Sequence, residues 1–211
     1  MARDSEAPPA RLYLITPLLE NATPFDKVLA AALGAGDVAC VLARFATRDA
    51  GQRKAILCAL TPLAQDHGAA LLVDGDAQLA ARAGADGVHV TSGGETLDEA
   101  TGSLKPERIV GVGGLATRDE CMDAGESDID YLMFGAPDDD ATTADILERT
   151  QWWAEIFNVP CVAFARSLGE VAALARAGAE FIALEAAVWD DPRGPAAAVA
   201  EVAAHLVEVP A

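Results

Sequence analysis

Two carboxylates that stand close together in the sequence are the first candidates for chemistry. Asp74 and Asp76 lie on either side of a glycine, directly after the apolar run 70–73. Paired carboxylates and water are what Mg²⁺ uses beside substrate phosphates, so both are candidate metal ligands, and Asp74 is also a candidate catalytic base. The alternative is structural, because Asp-Gly-Asp before a helix is common turn chemistry in which Asp76 caps the helix. The two roles are compatible.

A single histidine, His89, lies near the end of another apolar run. Imidazole changes charge close to neutral pH, so His89 is a candidate catalytic residue, and the alternative is a hydrogen-bonded core residue. Both interpretations stay open. Further residues follow the other apolar runs and are candidates for substrate binding, namely Thr16, Arg44, Ser92, Gly113, Gly135 and Arg166.

Eight short apolar runs must position these residues. They alternate with longer segments of helical length and fall at 12–15, 38–42, 70–73, 87–90, 109–112, 131–134, 161–164 and 181–184. Nearly continuous apolar character is typical of strands that are covered on both faces of a parallel sheet. Eight strand–helix units in a chain of 211 residues predict an α/β protein, a single-domain (β/α)₈ TIM barrel. We expect a flexible N-terminus at 1–10 and the barrel at 11–211.

A recurring phrase marks the turn that precedes a strand. Ala-Arg-Ala-Gly-Ala at 81–85 is repeated at 175–179, and looser copies occur at 33–38 and 123–126. We expect a glycine of each copy to end a helix in the left-handed conformation. A doubly wound sheet is disfavoured, because no Gly-x-Gly-x-x-Gly follows the first run. In a barrel the candidate residues would gather at the carboxyl ends of the strands.

The composition and the missing motifs exclude several classes of function. The 33 acidic residues against 15 basic ones give a formal charge of −18, which argues against nucleic acid as a partner. No lysine ends a predicted strand, and no His-Glu-x-x-His or Cys/His cluster is present, so Schiff-base and zinc chemistry are not expected. No long apolar segment is present, so we expect no membrane span and a cytoplasmic location.

Several segments, in their order, resemble the thiamine phosphate synthase/TenI family. They are Leu-Tyr-Leu-Ile-Thr at 12–16, Gly-Ala-Asp-Gly-Val-His at 84–89 and Ile-Val-Gly-Val at 109–112, and the matching order spans residues 11–205. The resemblance implies a single-domain barrel that joins a pyrimidine diphosphate to a thiazole phosphate with Mg²⁺. TenI-type relatives instead aromatise the thiazole phosphate.

The charged positions that the resemblance implies are altered in this chain. The family's Gln-x-Arg-x-Lys motif keeps only Arg44, and its glycine pair after the seventh strand reads Ala-Arg, with Arg166. This chain has Ala46, Gly75, Gly94 and Gly113 where the family has a lysine, two metal-binding carboxylates and a serine. Phosphoryl chemistry depends on such preorganised charges. We therefore expect synthase activity to be absent or very weak, and any Mg²⁺ to bind weakly.

Three functions stay open at this point. The first is a thiamine-pathway enzyme that acts on a phosphorylated heterocycle, with Arg44 binding the phosphate. The second is a barrel that binds a small ligand or a partner protein without turnover. The third is a metal-free isomerase that uses His89 or Asp74 as a base. We also expect a homo-oligomer.

Two expectations concern the charges around the barrel mouth. The acidic run 138–140 is expected to be a solvated loop, with Asp140 or Thr142 capping the helix that follows. Arg166 is expected to pair with Glu185 across neighbouring strands, because an unpaired glutamate at the mouth would be costly to desolvate. That pair would close the phosphate pocket.

Overall fold

The computed structural model describes residues 9–207. The expected flexible segment 1–10 lies mostly outside the described residues. Eight parallel strands pair in chain order, and β1 also pairs with β8, so the sheet closes into a barrel. The strands are β1 (Arg11–Leu19), β2 (Val38–Phe45), β3 (Ala70–Asp74), β4 (Gly87–Val90), β5 (Ile109–Val112), β6 (Tyr131–Phe134), β7 (Cys161–Phe164) and β8 (Phe181–Leu184).

Helices alternate with the strands and form the outer layer, which confirms the predicted (β/α)₈ TIM barrel. A short 3₁₀ turn (Leu168–Glu170) precedes the seventh helix, and two helices follow β8. The helices are α1 (Phe25–Leu33), α2 (Ala50–Asp66), α3 (Ala77–Ala83), α4 (Glu95–Leu104), α5 (Arg118–Gly125), α6 (Thr143–Ile156), α7 (Val171–Arg176), α8 (Ala186–Trp189) and α9 (Pro195–Val207). Within the described range, none of them combines the length and the apolar character that a membrane crossing requires.

Local chemistry sets where several helices begin. In α2, α3, α5 and α6 the side chain before the first helical residue accepts a hydrogen bond from the backbone N–H three residues further on, and these caps are Asp49, Asp76, Thr117 and Thr142. Such a cap satisfies an N–H group that has no partner within the helix. Of the two residues predicted to cap α6, the cap is Thr142.

The recurring glycine turn is confirmed in two of its four copies. Gly84 and Gly178 have φ angles of 74° and 101°, the left-handed region in which a side chain is strained. The prediction is wrong for the other two copies. Gly34 ends α1 in right-handed conformation, and Gly125 lies within α5, where a Cβ atom would come within 2.7 Å of the Trp153 ring. Glycine is required at position 125 because the Trp153 ring packs too close to leave room for a side chain.

The barrel has an apolar interior that is separate from the layer between strands and helices. Its buried members are Tyr13, Ile15, Cys40, Leu42, Leu72, Tyr131, Met133, Val162, Phe164 and Ala183. A second, larger cluster fills the space between the sheet and the helices. Inward and outward residues alternate along each strand, as the pleat requires.

One row of paired residues crosses the interior from β3 to β6. Asp74 pairs with His89, His89 with Gly111, and Gly111 with Tyr131. A Cβ atom on Gly111 would lie 1.9 Å from Cζ of Tyr131, which is far inside van der Waals contact. The missing side chain therefore makes the space in which the Tyr131 ring crosses β5 and reaches β4.

We expect Gly111→Ala to lower the free energy of unfolding by about 3 kcal/mol or more, because the new methyl group overlaps a buried ring that neighbouring strands hold in place. Equilibrium urea unfolding measures the change. The matched control is Gly102→Ala, on the exposed face of α4 where no atom lies within 4 Å of the new Cβ. There alanine should stabilise by about 0.5–1 kcal/mol. Equal stability of Gly111→Ala and the unmodified protein would show that the Tyr131 ring is not held against β5.

Candidate functional site

A cavity of about 230 Å³ opens at the carboxyl ends of the strands, the mouth of the barrel. Its lining comes from β1 to β4, from β6, and from the loops that follow β4, β5 and β6. The lining residues are Ile15, Leu42, Arg44, Asp74, His89, Thr91, Gly113, Gly114, Met133, Gly135, Ala136, Pro137, Asp138 and Asp139. We call this space the mouth cavity. Five of the sequence-predicted site residues line it, namely Arg44, Asp74, His89, Gly113 and Gly135.

His89 is the most buried polar side chain of the mouth cavity, with 4% of its surface exposed. Its Nδ1 atom lies 3.0 Å from the hydroxyl of Tyr131. Burial lowers the pKa of His89 to about 4, because desolvation disfavours the charged imidazolium. The imidazole is therefore neutral at pH 7, which suits a hydrogen-bonding role better than a fixed positive charge.

Asp74 is a half-buried carboxylate that no described residue neutralises by direct contact. Among residues 9–207, its side chain has neither a hydrogen bond nor an ion pair. Burial raises the pKa of the Asp74 carboxyl, an effect opposed by the positive charge of Arg44. A carboxylate in this state accepts a proton more readily than an exposed one, and it is open to contact from a ligand.

Asp76 has the structural role of a helix cap. Its carboxylate accepts a hydrogen bond from Leu79 N–H at 2.8 Å and caps α3. A second oxygen lies 3.8 Å from the guanidinium of Arg53. Asp76 is absent from the lining of the mouth cavity, so the two predicted metal ligands are not brought together there.

The described residues do not form a metal site of their own. Within residues 9–207, no group of three or more His, Cys, Asp or Glu side chains is arranged to hold a metal ion. Mg²⁺ is commonly held by one or two carboxylates together with substrate phosphates. Asp74 can supply one such carboxylate, but the side chains of residues 9–207 do not by themselves fit a resident Mg²⁺.

The loop between β6 and α6 carries acidic residues that pair with the two arginines of the mouth. Arg44, with only 12% of its side chain exposed, forms an ion pair with Asp138. Arg166 donates to the Asp139 carboxylate at 2.8 Å and to the Ala141 carbonyl at 2.9 Å. Asp138, Asp139 and Asp140 are exposed, as expected for a solvated loop. The arginine partners of Asp138 and Asp139 were not predicted; they lie on β2 and after β7, within reach of the loop.

The expected ion pair between Arg166 and Glu185 is wrong. Glu185 instead accepts a hydrogen bond from Ala186 N–H at 2.8 Å, at the start of α8. The guanidinium of Arg166 is engaged by the β6–α6 loop, and its backbone N–H donates to Glu170. The positive charge of Arg166 is thus neutralised, as expected, but by Asp139 and not by Glu185.

Three of the predicted substrate-binding residues lie outside the lining of the mouth cavity. Thr16 is fully buried, and its hydroxyl accepts from Arg44 N–H and donates to the Pro17 carbonyl, so it fixes the irregular end of β1 against β2. Ser92 is exposed in the loop after β4. Arg166 approaches the mouth only through its contacts with the loop.

Sequence reasoning missed Tyr131, which the apolar run 131–134 concealed. It is 5% exposed, and its hydroxyl lies between Nδ1 of His89 and the hydroxyl of Tyr13. The signal that could have found it is the small residue Gly111 on the intervening strand. A glycine in a strand interior often marks the close approach of another group.

Comparison with known proteins places this architecture in a family. A family model described as thiamine monophosphate synthase matches residues 12–188. The chain belongs to the thiamine monophosphate synthase family. A relative from Rhodospirillum centenum, called thiamine-phosphate synthase, is 44% identical over 200 residues, covering 90% of this chain and 95% of the relative. A protein of the same name from Hyphomonas neptunium is 35% identical over 202 residues, covering 91% of each chain.

Solved structures agree with the fold of the thiamine monophosphate synthase family. The thiamine phosphate pyrophosphorylase of Pyrococcus furiosus has a TM-score of 0.80 and 23% identity, covering 94% of this chain and 96% of that one. A 3-hexulose-6-phosphate synthase has a TM-score of 0.71 and 18% identity, with coverage of 92% and 98%. At these identities the likeness concerns the barrel fold. The resemblance inferred from the motifs is confirmed.

We expect Asp74→Asn to raise the melting temperature at pH 7. The raised pKa of Asp74 means that the folded state binds a proton more tightly than the unfolded state, so ionisation destabilises the fold at neutral pH. Asparagine removes that charge, and its advantage should shrink as the pH falls through the raised pKa. Thermal melts of Asp74→Asn and of the exposed control Asp140→Asn between pH 4 and 8 measure this. A lower melting temperature for Asp74→Asn would contradict it.

Proposed function

We propose that this barrel serves thiamine biosynthesis by binding a phosphorylated thiazole or pyrimidine precursor in its mouth cavity. The observation that carries the proposal is the gathering of Arg44, Asp74 and His89 around one cavity at the carboxyl ends of β2, β3 and β4. Active sites of such barrels lie at this face. Membership of the thiamine monophosphate synthase family supports the class of ligand.

The cavity has the polarity that a ring with a phosphate tail requires. Ile15, Leu42 and Met133 give it an apolar wall, while Arg44 stands where β2 ends. Its volume of about 230 Å³ lies below the ~300–1,000 Å³ of pockets for drug-sized ligands, so it suits only a small ligand. In this arrangement the ring lies against the apolar wall, and the phosphate meets the guanidinium of Arg44.

Binding of the phosphate must compete with a carboxylate that is already present. Asp138 occupies the guanidinium of Arg44, so an anionic ligand displaces it and releases the β6–α6 loop from β2. Asp138 is largely exposed, with 77% of its side chain accessible. An ion pair of this kind contributes about 0–1 kcal/mol, which a charge-assisted phosphate contact exceeds.

A second candidate, a barrel that binds its ligand without turnover, is favoured by two observations. Within the described residues both arginines near the mouth are ion-paired, and the predicted metal ligands do not converge. Mg²⁺ would then enter only with a diphosphate ligand and would use Asp74 as its protein contact. A cytoplasmic location and a homo-oligomer stay predictions.

Three variants test the proposed phosphate contact by calorimetric titration with thiazole phosphate, thiamine phosphate and diphosphate. We expect Arg44→Ala to weaken binding about tenfold or more, because it removes a charge-assisted contact. Asp138→Asn should strengthen binding about two- to fivefold, since the competing carboxylate is removed. Asp140→Asn, in the same loop and without an ion pair among the described residues, is the matched control and should change nothing.

Absence of heat with all three ligands, or equal affinity in Arg44→Ala and the unmodified protein, would overturn the assignment of the phosphate site. A gain in Asp140→Asn equal to that in Asp138→Asn would show a general effect of net charge. The chain's net charge of −18 makes that control necessary, because any lost acid weakens long-range repulsion of anions.

We expect coupling of the pyrimidine diphosphate to the thiazole phosphate to be slow, below ~1 s⁻¹ with both substrates and Mg²⁺. The reason is the absence of a lysine at Ala46 and of carboxylates at Gly75 and Gly94, since one lost preorganised charge typically costs ~10²–10³ in rate. A coupled assay of diphosphate release measures the rate. Faster turnover would show that other groups supply the missing charge and would exclude the binding-only candidate.

A further inference from the structure

A chain of three buried polar groups runs through the barrel interior and ends at the mouth cavity. The Tyr13 and Tyr131 hydroxyls are 2.9 Å apart, and the Tyr131 hydroxyl is 3.0 Å from Nδ1 of His89. All three side chains are 5% exposed or less. The rings of His89 and Tyr131 are almost parallel, with 6° between their planes. This hydrogen-bonded series takes no part in the proposed phosphate contact of Arg44.

The other ring nitrogen of His89 faces the mouth cavity. A Cβ atom on Gly113 would lie 3.0 Å from both Cε1 and Nε2 of His89, so this edge of the imidazole is turned toward β5 where the cavity opens. Within residues 9–207, Nε2 has no hydrogen-bond partner. The buried side-chain polar atoms without a partner in that range are Oγ1 of Thr61 and Oγ1 of Thr150, so Nε2 is not fully enclosed. Nε2 is therefore reachable from the cavity.

The three groups share a limited number of hydrogens, because each is neutral. Burial raises the pKa of Tyr13 and of Tyr131 well above the ordinary value, so both hydroxyls keep their hydrogens. The lowered pKa of His89 leaves a single hydrogen on its ring. The groups that face His89 from neighbouring strands are Asp74, Gly111 and Gly113, and Asp74 forms no hydrogen bond to it.

Counting donors and acceptors selects one direction for the chain. If Tyr13 donates to Tyr131, then Tyr131 donates to Nδ1 of His89, and every buried hydroxyl hydrogen has an oxygen or nitrogen acceptor. In the reverse direction Nδ1–H donates to Tyr131 and Tyr131 to Tyr13, which leaves the Tyr13 hydrogen with only the thiol of Cys40, its register neighbour on β2. Sulfur is a weak acceptor, and a buried donor without a good partner is costly.

We infer that Tyr131 is a positioning residue that holds His89 in one neutral tautomer, with the hydrogen on Nε2 and directed into the mouth cavity. His89 then acts on a ligand as a hydrogen-bond donor and not as a base. The matching ligand group is an acceptor, such as a ring nitrogen or a developing anionic oxygen. Only this identification of the ligand rests on the proposed function.

The tautomer can be read directly by nuclear magnetic resonance of protein labelled with ¹⁵N-histidine, at pH 7 and without ligand. The chain has 3 histidines, and the signals of His89 are those lost in His89→Gln. We expect the unmodified protein to show one tautomer, with hydrogen on Nε2. Hydrogen on Nδ1 would overturn the inference without any further variant.

Two matched variants separate positioning from packing, since each replaces one buried tyrosine by phenylalanine. In Tyr131→Phe, Nδ1 loses its donor, and we expect a mixture of both tautomers. In Tyr13→Phe, the Tyr131 hydrogen still has Nδ1 as its acceptor, so we expect the single Nε2–H tautomer to persist. A single tautomer in Tyr131→Phe, or a mixture in Tyr13→Phe, would overturn the inference.

A final titration of the labelled protein with thiazole phosphate connects the tautomer to the site. We expect the Nε2–H signal of His89 to shift on binding, because the ligand accepts its hydrogen bond. Absence of any binding would count against the proposed function alone, since the ligand-free spectra decide the tautomer independently. Binding that leaves the Nε2–H signal unmoved would overturn the donor role.

Discussion

The parallel register of β3 to β6 is the constraint on which the candidate site depends. It sets Asp74, His89, Gly111 and Tyr131 in one row across four strands. Because parallel strands advance together, a shift of one residue in any pair would turn the next side chain inward instead. Closure of the barrel prevents such a shift, since every strand is paired on both sides. The precision of the site is therefore a property of the whole sheet.

The charges at the mouth follow from the same closure. Arg44 and Asp138 are 94 residues apart in the sequence, and the barrel brings β2 and the β6–α6 loop to one rim. The 33 acidic residues outnumber the 15 lysines and arginines, so an arginine at that rim has carboxylates within reach. The ion pair between Arg44 and Asp138 thus follows from the acidic composition of the protein together with the closure of the barrel. It makes phosphate binding an exchange of one anion for another, which favours ligands with more than one point of contact.

The sequence was sufficient for the architecture and for part of the site. The bounds of β4 to β8 coincide with the apolar runs, because these strands are short and covered on both faces. β1 and β2 extend further than predicted, because Thr16 and Pro17 interrupt the apolar run of β1 and pairing resumes beyond a register shift, with Leu18 opposite Arg44 and Leu19 opposite Phe45. The partners of Arg44 and Arg166 could not be predicted, because a loop's path over the mouth depends on contacts distant in sequence. The role of Tyr131 was concealed by its place in an apolar run.

The polar groups that stay unsatisfied are as informative as those that are paired. Asp76 caps a helix, Thr16 joins two strands, and Arg166 is held by a loop, so each is explained by structure alone. Within the described residues, Asp74 and Nε2 of His89 lack such partners, although Asp74 is half-buried and His89 as a whole is 4% exposed. Folding gains nothing from leaving them so, and a nonpolar residue at either position would be less costly to bury. Local costs of this kind concentrate where function requires them. The pair on adjacent strands, one an acceptor and the other a donor, therefore defines the point of the mouth cavity at which a ligand's polar atoms are recognised.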